Sequence, residues 1–129
     1  MSALNIVAAI AIGVVALLHA YFLVLEMFLW TKPTGRRVFG LTPEFAEASK
    51  TLAANQGLYN GFLSAGLIWG LIGGFAGSPG HVGVQIFFLA CVIVAGVYGG
   101  ATVNKRIVFV QAVPALIALA LVLVLVANN

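Results

Sequence analysis

ALNIVAAIAIGVVALLHAYFLVLEMFLW, residues 3–30, decides the fold class. Only Asn5, His19 and Glu26 interrupt this apolar run, which exceeds the ~20 residues that a helix needs to cross the hydrocarbon core of a bilayer. No basic segment precedes it, so a cleaved secretory signal is not expected and the run is read as a retained transmembrane helix. The rest of the chain agrees. Of 129 residues, 63% are hydrophobic and 7% charged, with a mean hydropathy of +1.16, against the roughly one quarter charged residues of a soluble domain. Six Lys/Arg and three Asp/Glu are too few to clothe a water-facing surface. That excludes an independent soluble enzyme, a disordered chain and a nucleic-acid binder. The single cysteine, Cys91, lies in an apolar run, so no intrachain disulfide can form.

Working outward from the first run, the expected architecture is all-α, a single four-span integral membrane domain over residues 1–129. The spans fall at about 3–31, 43–76, 81–103 and 106–127. Residues 32–41, KPTGRRVFGL, have the Pro, Gly and charge content of a loop. Thr42-Pro43-Glu44 reads as a helix start, with Thr42 as cap, Pro43 at the first helical position and Glu44 at the positive end of the dipole. Gly77-Ser78-Pro79-Gly80 forms a tight turn, and Pro114 is expected to kink the fourth span. Lys32, Arg36, Arg37 and Lys50 separate spans one and two, and Lys105 and Arg106 separate spans three and four. The positive-inside rule then places both basic loops in the cytoplasm, with both termini and the 77–81 turn outside.

Helices in lipid approach closely through small residues. Gly57, Gly61 and Ala65 recur along one face of the second span, and Gly66, Gly70 and Gly74 along the roughly opposite face. That span should therefore be central. Gly96, Gly99 and Gly100 add a third seam, more than one subunit obviously needs, which favours a homo-oligomer, a trimer or a dimer. After Pro114 the fourth span is almost pure Ala, Leu, Val and Ile, the composition of a lipid-facing helix.

Ionisable groups inside a membrane are costly and default to functional candidates. Asn5, Ile12, His19 and Glu26 are spaced by seven, so they drift only ~20° per step and form one stripe, with Trp30 at its interface end. At 1.5 Å per residue, Glu26 lies roughly 6–8 Å inside the cytoplasmic end and His19 roughly 10 Å deeper. By depth, Asn55, Gln56, Tyr59, Asn60, Tyr98, Thr102 and Gln111 share that leaflet. The outer half offers only Asn5, Gln85, Ser78 and His81. The expectation is a cytoplasm-facing pocket walled by Glu26, Asn55, Gln56, Asn60 and Gln111, with His19 as floor and Tyr59 and Tyr98 beside it. Arg36, Arg37, Lys50, Lys105 and Arg106 would rim it and favour an anionic ligand or lipid head groups. The competing structural reading pairs Glu26 with Lys50 or Arg106, lets the amides bridge helices, assigns the cations to topology and membrane-lipid contact, and puts Tyr59 and Trp30 in an interfacial belt. No metal-ligand spacing, phosphate loop or nucleophile elbow is present.

The series His19-x-Tyr21, Glu26-Met27-Phe28-Leu29-Trp30, Arg36-x-x-Phe39-Gly40 and Asn55-Gln56-Gly57-Leu58-Tyr59-Asn60-Gly61-Phe62 resembles the small bacterial membrane proteins grouped as domain of unknown function thirteen hundred and four, over essentially the whole chain. The resemblance implies a multi-pass protein of a bacterial cytoplasmic (inner) membrane. Glu47, Lys50, Ala54 and Asn55 are more faintly similar to the membrane-associated proteins of eicosanoid and glutathione metabolism, which are homotrimers of four-helix subunits that bind glutathione at the cytoplasmic side. Lys50 stands where that family has Arg, and its following Glu is missing. The leading expectation is binding of a small polar, anionic or amphipathic ligand. A transferase-like version would use Glu26 or His19 as acid/base with glutathione as co-substrate. The alternatives are a transporter or proton-coupled channel, with Glu26 and His19 as relay groups, and a structural or lipid-organising protein.

Overall fold

The computed structural model describes Met1–Asn129 and is entirely helical, without strands. Helix α1 spans Ala3–Met27, α2 Pro33–Phe39, α3 Pro43–Phe75, α4 His81–Thr102 and α5 Val113–Ala127; a π-helical segment, Val108–Ala112, leads into α5. Four stretches are long and apolar enough to cross a membrane: Ala3–Met27, Pro43–Phe75, His81–Thr102 and Val108–Ala127. These are the four expected spans. Large apolar side chains such as Leu17, Phe28, Leu52, Trp69, Phe87 and Val94 lie exposed along them, an outward-facing apolar surface that only a hydrocarbon environment makes cheap.

The boundaries differ from expectation in three places, each for a local reason. The first helix ends at Met27 rather than at 31. Residues 33–39, expected as loop, form α2. Pro33 occupies its first turn behind an extended Lys32 (φ −83°, ψ 160°), and Gly40 closes it in the left-handed conformation (φ 65°), so Pro and Gly act here as start and stop signals. Pro114 acts through the π-helical segment that precedes it, where Val113 donates its amide to the Val108 carbonyl, five residues back. A proline has no amide hydrogen and its ring crowds the carbonyl four residues earlier, and a widened turn accommodates both. The start of α3 follows expectation: the Phe45 amide donates to Thr42 Oγ1 at 3.2 Å.

The chain folds as two compact units, Leu17–Ser64 and Met1–Ala16 with Ala65–Asn129. In the Leu17–Ser64 unit the glycine face of α3 packs on α1: a Cβ at Gly57 would sit 2.8 Å from Met27 Cγ and 3.0 Å from Glu26 Cβ, and one at Gly61 2.5 Å from Leu23 Cδ1. In the other unit Gly66 lies against Phe88, Gly70 against Gln85 and Gly74 against His81, all on α4. The third seam joins α4 to the π-helical segment, Gly96 against Ala112 and Gly100 against Val108. Glycines of all three ridges thus meet residues of the same chain.

Candidate functional site

The stripe on α1 is buried along its length. Ile12 and His19 are each 1% exposed and Glu26 3%, while Asn5 is half-buried. Heptad spacing produces this, because successive members stay on the face that meets protein.

Glu26 sits in the last turn of α1. Gly57 lets α3 approach its backbone, and Asn60, three residues further along α3, reaches over to it. Asn60 Nδ2 donates to Glu26 Oε1 at 3.0 Å, with Asn60 only 8% exposed. The second carboxyl oxygen, Oε2, is enclosed without a hydrogen-bond partner. His19 lies two turns toward the N-terminus on the same stripe, about 10 Å away along the axis, with its ring edge-on to Phe22 at a centroid distance of 5.5 Å. Nearby, Trp30 Nε1 donates to Ser49 Oγ at 3.0 Å, Ser49 Oγ donates to the Phe45 carbonyl at 2.6 Å, and the Trp30 and Phe39 rings stand 4.8 Å apart. These contacts tie α1, α2 and α3 together just beyond the carboxyl. Arg36, on α2, has its Nε buried without a hydrogen-bond partner.

The structure brings together Glu26 and Asn60 and keeps His19 on their buried stripe. Within this unit it does not bring Asn55 and Gln56 to the carboxyl group. At 100° per residue, the buried face of α3 in this unit carries Ala53, Gly57, Asn60 and Ser64. Asn55, Gln56 and Tyr59 lie off that face and are exposed, Tyr59 stacked edge-on to Phe62. Arg37 and Lys50 are exposed, and Lys50 pairs with Glu47 on its own helix. Lys50 is thus spent on Glu47 and makes no ion pair with Glu26. Tyr98 is 71% exposed, Gln111 is half-buried in the π-helical segment, and Arg106 is exposed with its backbone amide held by Asn104 Oδ1. These three belong to the second compact unit.

That unit has its own buried polar contact, which depth reasoning passed over. Gln85 on α4, 8% exposed, donates Nε2 to the Gly70 carbonyl of α3 at 2.9 Å. His81 Nδ1 lies 2.8 Å from the Ser78 carbonyl in the turn before α4. The glycine ridge 66–70–74 was the available signal, because small residues on one helix show where a neighbour's polar side chain can reach its backbone.

Comparison with known proteins places most of the chain within one family. The family described as "Protein of unknown function (DUF1304)" matches residues 13–123. The chain belongs to the DUF1304 family. It is 36% identical over 107 residues to the uncharacterised protein YpaA of Lactococcus lactis subsp. lactis (strain IL1403), covering 81% of this chain and 87% of that one. No solved structure matches. The fainter similarity to the membrane proteins of eicosanoid and glutathione metabolism finds no support in these matches. The DUF1304 region contains His19, Glu26 and Asn60 and leaves out Asn5 and the last turn of α5.

Proposed function

We propose that this DUF1304 protein is a multi-pass protein of the cytoplasmic membrane that binds a small polar or amphipathic ligand at the Glu26–Asn60 pair. The basic loops face the cytoplasm and the termini the outside, as the Lys/Arg distribution favours. The observation that carries the reading is Glu26 itself: a buried carboxyl group with one oxygen bonded by Asn60, the other unbonded, and no cation beside it. A carboxyl group in that position has capacity left over. Oε2 can accept a hydrogen bond from a ligand's hydroxyl or amine, or carry a proton and donate it. If the group only had to hold two helices together, a neutral amide pair would do so at lower desolvation cost. Arg36 and Arg37 on α2 and Lys50 on α3 supply positive charge in the same unit, suited to an anionic part of a ligand such as glutathione, or to lipid head groups.

The test is thermal unfolding of the purified protein in detergent, titrated with glutathione and, separately, with short-chain amphipathic alcohols and amines. Saturable stabilisation by one of these probes, abolished in Glu26→Gln, is the expected outcome. No saturable shift with any of them overturns ligand binding. Flux through proteoliposomes under a pH gradient that disappears in Glu26→Gln would replace binding by proton-coupled transport.

A further inference from the structure

A cavity of about 190 Å³ opens among the first turns of α1, the end of α3, the start of α4 and the last turns of α5. Folded interiors seldom leave holes much larger than a water molecule, whereas a cavity near 150 Å³ is roomy enough for a benzene-sized molecule. Asn5, His81, Gln85 and Asn129 supply its polar lining, residues such as Ile12 and Val122 its apolar lining, and Gly74 a stretch of bare backbone. No Asp, Glu, Lys or Arg side chain faces it.

The two best-placed polar groups present acceptors. The Ser78 carbonyl can only accept, so the 2.8 Å contact puts the imidazole proton on Nδ1 and leaves Nε2 of a neutral His81 with a lone pair. Gln85 donates one N–H of its side-chain amide to the Gly70 carbonyl, and the carbonyl end of the same amide, Oε1, is an acceptor. The His81 ring and the Gln85 amide nitrogen both border Gly74: a Cβ there would stand 3.4 Å from Gln85 Nε2, 3.3 Å from His81 Cδ2 and 3.8 Å from His81 Nε2. Glycine at that position keeps the space open.

We propose that this cavity is a second binding site, distinct from Glu26, for a small uncharged amphiphile that carries a hydrogen-bond donor, of the phenol or short-alcohol class. The donor head meets His81 Nε2 or Gln85 Oε1, and the apolar body packs on Ile12 and Val122. A charged ligand finds no countercharge among these side chains. A fully apolar one leaves the part-buried His81 Nε2 unbonded, a cost that discriminates between close analogues.

The site is tested by nitrogen NMR of the imidazole rings of the full chain in detergent, titrated with phenol and with anisole, its near-isostere without a donor. Phenol is expected to shift His81 Nε2 saturably and at least tenfold more tightly than anisole, while His19, the other histidine, stays put. Ala9→Phe, which places a ring in the cavity wall, is expected to abolish the saturable shift, and Gln85→Leu to weaken it several-fold, so the proposal stays testable if either variant folds poorly. Equal, non-saturating responses to phenol and anisole at both histidines would mean partition into the micelle and would overturn it. A saturable shift that survives both variants would overturn it as well.

Discussion

Glu26 and Gln85 both reach α3 from a neighbouring helix, and they are held in opposite ways. Gln85 is neutral and donates to a backbone carbonyl, that of Gly70, using a lone pair that the helix leaves spare. Glu26 brings an ionisable group into the apolar interior, takes one hydrogen bond from the Asn60 side chain and keeps an oxygen without a partner. The Gln85 contact is what cohesion in hydrocarbon requires. The Glu26 contact costs more than cohesion requires, which is why the functional proposal rests on the carboxyl group and not on the amide.

The comparison can be broken most forcefully at the glycine that lets Glu26 reach its partner. Gly57→Leu forces a side chain into a space where even a Cβ lies 2.8 Å from Met27 Cγ, and should cost about 3 kcal/mol or prevent folding, read by denaturant unfolding in mixed micelles followed by circular dichroism. Asn60→Leu comes next. It strips Glu26 of its donor and should cost about 2 kcal/mol, and the double change Glu26→Leu with Asn60→Leu should recover most of that loss, since removing both partners leaves nothing unsatisfied. Gln85→Leu removes one neutral contact and should cost about 0.6 kcal/mol in the same assay, typical of interhelical hydrogen bonds in membranes. Equal losses for Asn60→Leu and Gln85→Leu would erase the distinction between the two contacts. The smallest effect is expected at Lys50→Ala, which removes an exposed pair with Glu47 and should change stability by no more than about 0.5 kcal/mol.

Much of the fold was legible because its signals are long. A run such as 3–30 can only be a spanning helix, and the glycine ridges of α3 correctly announced neighbours on two faces. Short signals were ambiguous. Pro33 and Pro43 each stand at a helix start, but Pro33 stands among two glycines and three cations, a composition that fits a loop equally well. Pro114 announced a disturbance without its form, because whether a helix answers a proline by bending or by widening a turn depends on what packs against it.

The site was legible along the helix axis and much less so around it. Depth groups Asn55, Gln56 and Asn60 as one wall, but rotation separates them, and only Asn60 shares the face of Ala53, Gly57 and Ser64. The heptad stripe succeeded for His19 and Glu26 because spacing by seven encodes direction as well as depth. The cavity at Gln85 and His81 leaves little trace in the sequence, because only folding sets Asn5 of α1 beside these two residues of α4.

The central claim is that Glu26 is a carboxyl group in apolar surroundings with an oxygen free for a ligand or a proton. Treating membranes that contain the protein with dicyclohexylcarbodiimide, an apolar reagent for carboxyl groups, and locating adducts by mass spectrometry tests this most directly. The account predicts an adduct on Glu26 with the water-exposed Glu44 and Glu47 unmodified, and loss of that adduct in Glu26→Gln. An unmodified Glu26, under conditions where a control intramembrane carboxyl group reacts, would show it sealed as a structural contact and would contradict the account.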